Sequence, residues 1–147
     1  MLSAQGKLLA VVAGVLGAVG LYALVMRLGR YNLESQAEEA LATVAALAKA
    51  EQQFHAKNGA FFPLGKMPAT VPRARKAEAS WPDELRGTAS ALPTVVRYQY
   101  ELVVSGPETM IVIARGDLNA DMVESEFRLE VRAGKPLGQI ERTRPLE

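Results

Sequence analysis

The sequence contains no cysteine and a single histidine, His55. Without cysteine, disulfides, thiol catalysis and thiolate metal sites are excluded, and one histidine excludes a multi-histidine metal centre. His55 stands in a predicted last helical turn, where a lone histidine is typical of a surface or capping group. The sequence also has no nucleophile elbow, phosphate-binding loop or histidine-pair metal motif. These absences predict a protein that is not an enzyme and has no small-molecule substrate.

The sequence also lacks a large net charge of either sign. The formal net charge of the chain is +1. Such a balance produces no long-range field that would attract nucleic acid, so we expect no nucleic-acid partner.

One long segment has no charge at all. Leu8–Met26 is a run of 19 residues without Asp, Glu, Lys, Arg, Asn, Gln or Pro. As a helix it would span about 28 Å, close to the thickness of the hydrocarbon core of a bilayer. The run therefore predicts a membrane anchor within residues 1–30. A cleaved signal peptide and a buried core helix are the alternatives; the length of the run argues against the first, and the lack of a polar face against the second.

Small residues recur every four positions in this segment, at Gly6, Ala10, Gly14 and Ala18. On a helix they would form one smooth ridge, and such ridges allow close approach of helix backbones in lipid. We predict that this ridge mediates packing between membrane helices. The alternative is that glycine and alanine are simply common in membrane helices.

Residues 31–147 are predicted to form one domain behind the anchor, beginning with an amphipathic helix over 31–57. Alanine, valine and leucine recur at spacings of three and four between Ala37 and Phe54, and charged residues fall largely on the other side. Asn58-Gly59 is a typical stop signal, because both residues tolerate the left-handed conformation that ends helices. We therefore expect one nearly continuous helix from Leu8 to Lys57, half in lipid and half on the domain.

Residues 58–93 carry several prolines and no sustained period, which predicts a long loop. Within it, Arg73-Ala74-Arg75-Lys76 is a local cationic cluster that would contact lipid headgroups, an acidic partner surface or only solvent. Phe61 and Phe62 are expected under the helix end, and Trp81 is expected to anchor the loop in the core.

Residues 94–143 predict an antiparallel sheet. Val95–Val104 and Thr109–Arg115 are rich in β-branched and aromatic residues, and a turn between them predicts a hairpin. Ser125–Arg132 alternates strictly, and Leu137–Thr143 would add a short edge strand. The expected fold class is α+β, with the amphipathic half of the helix covering a sheet of three or four antiparallel strands.

Oxygen-bearing side chains alternate between the last two long strands, at Asp117, Asn119 and Asp121. This spacing is how tight loops wrap Ca²⁺, and it makes these residues candidate metal ligands. Side chains that bind backbone amides of their own turn explain the same residues equally well. No other cofactor is expected.

The layout resembles type IV pilins and the pseudopilins of type II secretion. The segment ALAKAEQQFHAKNGAFFP, at 46–63, is similar to the end of the pilin helix, and RGDLNAD, at 115–121, is similar to a strand connection of bacterial pilin-like proteins. The chain differs from that family in having no acidic residue before Glu34, where members carry a Glu at the fifth mature position, and the leader cleavage motif is not matched.

The resemblance implies a single-pass protein of the bacterial inner membrane with its domain in the periplasm. It would serve as a structural or assembly component of a pilus or secretion-type filament, with lipid and other pilin-like subunits, or further copies of itself, as partners. The alternative function is a membrane-tethered binding module that does not polymerise.

Overall fold

The computed structural model describes residues 4–87 and 92–143, and it describes side chains for 16–29, 32–87 and 92–143. Its contacts divide the chain into two units, Met1–Ser35 and Gln36–Glu147. The helices and strands, in chain order, are α1 (Ala4–Asn58), β1 (Leu64–Met67), β2 (Ala77–Glu78), α2 (Asp83–Arg86), β3 (Val95–Val96), β4 (Gln99–Gly106), β5 (Thr109–Gly116), β6 (Ser125–Arg132) and β7 (Glu141–Arg142).

The first unit is helical, and every side chain described between 16 and 29 is exposed. Its large apolar side chains are 54–67% exposed. Within the residues described, we found no helical stretch whose length and apolar character would carry it through a bilayer. The first eight residues of the predicted anchor Leu8–Met26 lie outside the described side chains. The anchor therefore stays a prediction.

The second unit begins with the amphipathic half of α1, and here the sequence prediction is confirmed. The small and branched residues of the predicted stripe are almost completely buried: Ala37, Ala40, Val44, Leu47 and Ala48. The helix ends one residue beyond the expected position. Gly59 has φ +73°, and its N–H donates to the His55 carbonyl at 2.7 Å, which closes the last turn.

The α+β class and the antiparallel sheet are also confirmed, but the expected number of strands was wrong. The main sheet has five strands, in the order β1-β4-β5-β6-β7, and a separate pair joins β2 to β3. The additional strand of the main sheet is β1, which lies inside the segment predicted as a loop. It contains Gly65, is flanked by Pro63 and Pro68, and pairs with β4 through a shifted register. Such a short, irregular edge strand carries no period-2 pattern that a sequence can reveal.

The three central strands follow the predicted alternation, but the predicted strand Val95–Val104 is divided, because β3 pairs with β2 and β4 begins only at Gln99. In β6 the buried positions alternate with more exposed ones, so Phe127, Leu129 and Val131 face the core as expected. Register places Ala114 of β5 between Tyr100 of β4 and Phe127 of β6. Because alternate residues share one face of a sheet, these strands offer a continuous apolar surface to the helix stripe, and both surfaces belong to one core.

Polar contacts fix the helix on this surface. The Arg97 backbone N–H donates to Glu39 Oε1 at 2.6 Å, and Arg97 Nη1 lies 2.8 Å from Glu39 Oε2. Further along α1, Gln52 Nε2 donates to the Lys135 carbonyl at 2.6 Å. These contacts join the helix to the residues just before β4 and to the residues just after β6.

The loop after the helix closes over the core through aromatic contacts. The rings of Phe61 and His55 are 4.5 Å apart, and Phe62 meets Phe54 edge-on at 5.6 Å. Trp81 is 3% exposed and donates from Nε1 to the Pro93 carbonyl at 2.7 Å. The expected positions of Phe61, Phe62 and Trp81 are confirmed.

A buried carboxyl lies beside this loop, and sequence reasoning did not single it out. Glu51 is completely buried, and its Oε2 accepts the Phe62 N–H at 2.9 Å. Its Oε1 has no hydrogen-bond partner within the described residues. Burial raises the pKa of the Glu51 carboxyl from 4.5 to about 7, against the opposing effect of the Phe62 hydrogen bond.

This pKa predicts that the protein loses stability as the pH rises from about 4.5 to 7. In that interval the unfolded chain releases the Glu51 proton while the folded chain retains it, so the free energy of unfolding falls by roughly 3 kcal/mol and levels off above pH 7. Urea denaturation between pH 4.5 and 8 should show this loss relative to Glu51→Gln, which does not titrate. Parallel pH profiles for the two proteins would contradict the prediction.

Candidate functional site

The connection between β5 and β6 starts at a buried aspartate. Asp117 is fully buried, and its Oδ2 accepts the Met122 N–H at 3.1 Å and lies 3.7 Å from Arg73 Nε. The Asp117 carbonyl also accepts the Ala74 N–H at 2.8 Å. Asp117 therefore binds both its own loop and the distant 73–74 segment, which brings two connections of the fold together.

The tip of the connection is closed by its own side chains. Asp121 Oδ1 accepts the Val123 N–H at 2.7 Å, and Asn119 Nδ2 donates to Asp121 Oδ2 at 2.7 Å. Ala120 and Met122 have positive φ values of 60° and 71°. Local side-chain hydrogen bonds offset the cost of this backbone, as in turns built around Asp and Asn.

The three predicted metal ligands differ in their surroundings. Asp117 is buried, whereas Asn119 and Asp121 are exposed and bonded to each other. Over 4–87 and 92–143 there is no group of three or more His, Asp or Glu side chains arranged to hold a metal ion. The arrangement matches the turn interpretation, and calcium binding stays a prediction.

If the connection binds calcium, addition of Ca²⁺ should raise the melting temperature of the native chain, and Asp121→Asn should abolish this rise.

Facing this connection is the segment between β1 and β2. Gln99, which is 4% exposed, donates from Nε2 to the carbonyls of Pro68 and Ala69 at 2.9 and 3.0 Å. A buried amide with both N–H groups engaged fixes the backbone of 68–69. Gln99, at the start of β4, therefore holds the beginning of this segment, and Asp117 holds residues 73–74.

An open cavity of about 610 Å³ lies between these connections. Lys66, Arg73, Arg75, Gln99 and Glu124 line it, together with residues 69–71. Two of the cations belong to the cluster noted in the sequence, but Lys66 comes from β1 and Glu124 from the β5–β6 connection. No sequence pattern predicts this grouping, because it depends on the contact between Asp117 and the 73–74 segment.

The predicted helix-packing ridge lies largely outside the side chains that the structure describes. This applies to Gly6, Ala10 and Gly14, whereas Ala18 is exposed. A Cβ atom added at Gly17 or Gly20 would meet nothing within 4 Å. The helix-packing role stays a prediction.

His55 makes contacts that stabilise the end of α1. Its Nε2 lies 3.2 Å from the Pro107 carbonyl, and its ring contacts Phe61. These contacts link the end of α1 to the β4–β5 turn.

Comparison of the chain with protein families, with curated proteins and with solved structures found no match.

The role of Asp117 can be measured by substitution. We expect Asp117→Ala to lower the free energy of unfolding by about 2 kcal/mol, because the Met122 N–H and Arg73 lose their common acceptor. Asp121→Ala, which removes only contacts at the exposed tip, should cost less than about 1 kcal/mol. Equal losses in urea denaturation would show that Asp117 has no special role.

Gly116 allows the close approach of β5 to Tyr98. A Cβ atom there would lie 2.6 Å from Tyr98 Cδ1, and that buried ring is held by an edge-on contact with Phe127. Gly116→Ala should therefore cost about 1–3 kcal/mol through overpacking. The control is Gly65→Ala, where a Cβ atom meets nothing within 4 Å and the change should stay within about 0.5 kcal/mol. Thermal unfolding of both variants checks this difference.

Proposed function

We propose that the chain is a non-enzymatic, membrane-anchored, pilin-like protein of the bacterial envelope. It acts as a structural or assembly component of a type IV pilus or a type II secretion-like filament. The observation that carries this proposal is one helix with two kinds of apolar surface. Its second half is buried on an antiparallel sheet, whereas its described first half exposes only apolar and small residues up to Met26.

The apolar side chains in the first half of the helix are exposed, and contact with lipid or with another protein would remove them from water. Among its large side chains, Leu16, Val19 and Leu21 are 61–67% exposed. A contiguous apolar surface of this kind marks an interaction with lipid or with another protein. Lipid around Leu8–Met26, with the domain in the periplasm, satisfies this requirement, and the glycines at 17 and 20 leave room for other subunit helices.

The domain supports the same assignment. A long helix whose stripe covers an antiparallel sheet is the arrangement that the resemblance to pilins implies, and the chain has it over 36–58 and 64–142. In such a subunit the sheet keeps the helix in place, and the uncovered part of the helix makes the contacts of the assembly.

A second candidate function is a membrane-tethered binding module that does not polymerise. The cavity beside the β5–β6 connection favours it, because a concave surface with fixed walls serves binding rather than assembly. The two functions share the anchor and differ in whether copies associate.

Membrane association is tested by expressing the full chain in bacteria and extracting the membranes with alkaline carbonate. We expect the native chain to stay in the pellet and a Leu16→Lys, Val19→Lys variant to be released, since each Lys costs about 2.5–3.5 kcal/mol near the centre of a membrane helix. The control is Val104→Lys, which changes an exposed valine of β4 and should remain in the pellet. A native chain in the supernatant would overturn the anchor.

Assembly is tested separately on the native chain. We expect sheared surface fractions to contain the protein in filaments that electron microscopy can identify, and intact-mass measurement to define its amino terminus. A protein that fractionates with membranes and never with filaments supports the tethered module instead.

A further inference from the structure

We propose that the cavity lined by Lys66, Arg73 and Arg75 binds a small polyanion that carries two or more carboxylate or phosphate groups. This site lies within the second unit and does not depend on the proposed membrane or filament role. Three observations carry it: the charge of the lining, the fixing of the walls and the size of the cavity.

The lining has an excess of positive charge. Lys66, Arg73 and Arg75 face one lining carboxylate, Glu124, and the buried Asp117 pairs with Arg73, so one positive charge remains in excess at the site. Lys66 and Arg75 form no ion pair within the described residues, and Arg73 is held at Nε by Asp117 with its side chain 54% exposed. Two cations that line one concavity without an ion-pair partner among the described residues, Lys66 and Arg75, attract an anion.

The walls of the cavity are fixed by buried polar groups. Gln99 binds two successive carbonyls of the 68–69 backbone, and Asp117 binds the Ala74 N–H and the Met122 N–H. Both residues are at most 4% exposed. Such support fixes the backbone of the cavity wall before a ligand arrives, which reduces the entropy lost on binding.

The size of the cavity selects the class of anion. Its volume of about 610 Å³ is in the range of small-molecule sites and far exceeds one phosphate or carboxylate group. Arginine forks bind both groups in bidentate fashion, and a lysine adds a point charge. A compact molecule with several such groups can engage Lys66, Arg73 and Arg75 at once. A single phosphate or carboxylate group is too small to do so.

The test is isothermal titration of the full chain in neutral detergent micelles, at constant ionic strength, with citrate and with pyrophosphate. We expect saturable binding of at least one probe, and binding that is weakened about tenfold or more in a Lys66→Gln, Arg75→Gln variant. Both side chains are exposed, so the melting temperature of this variant should remain that of the native chain. Binding of citrate alone would assign polycarboxylates to the site, and binding of pyrophosphate alone would assign polyphosphates.

The matched control is a Lys57→Gln, Lys135→Gln variant, which removes two exposed cations elsewhere and should bind as the native chain does. No saturable binding of either probe at millimolar concentration would overturn the proposal. It would equally be overturned if the two double variants bound with the same affinity, because attraction to net charge would then explain the result.

Discussion

The fit between a small-residue helix stripe and a sheet of large side chains is the constraint on which the rest of this structure depends. Ala37, Ala40 and Ala48 of the helix are almost completely buried, and the same core contains the large side chains of Tyr98, Tyr100 and Phe127. Small residues on the helix leave space for the large side chains of the sheet, which is a way to reach the close packing of a protein interior. The Glu39–Arg97 ion pair then sets where the helix stands along β4.

Segment 68–74 and the β5–β6 connection are held by buried polar groups. Asp117 and Gln99 each bind backbone groups of a segment far away in the sequence, and between them they define the cavity beside β1. Few side chains of these two segments pack against the hydrophobic core, so the segments can vary without loss of the core. The proposed anion site and the proposed assembly surface therefore occupy different parts of the chain and can change independently.

Local periodicity made much of the fold predictable. The stripe from Ala37 to Ala48, the stop at Asn58 and the alternation in β6 each depend on residues close in sequence, and each is confirmed. Edge strand β1 was missed because its pairing comes from β4, thirty residues or more away. The cavity could be predicted only as a cationic run, because its other lining residues meet that run through the long-range contact of Asp117. Glu51 was missed because a glutamate in a helix normally signals an exposed face, and its burial depends on the loop at Phe62.

The order of the elements along the chain has a consequence for biosynthesis. The helix stripe leaves the ribosome first, and the strand that completes its cover, β6, ends more than seventy residues later. At the usual rate of synthesis, the stripe waits roughly 4–16 s without its sheet. Its alanine-rich composition limits the apolar area exposed during that interval, and Tyr100 and Phe127 emerge only with their own strands, β4 and β6. The same asymmetry that allows close packing in the finished protein thus limits aggregation of the unfinished one.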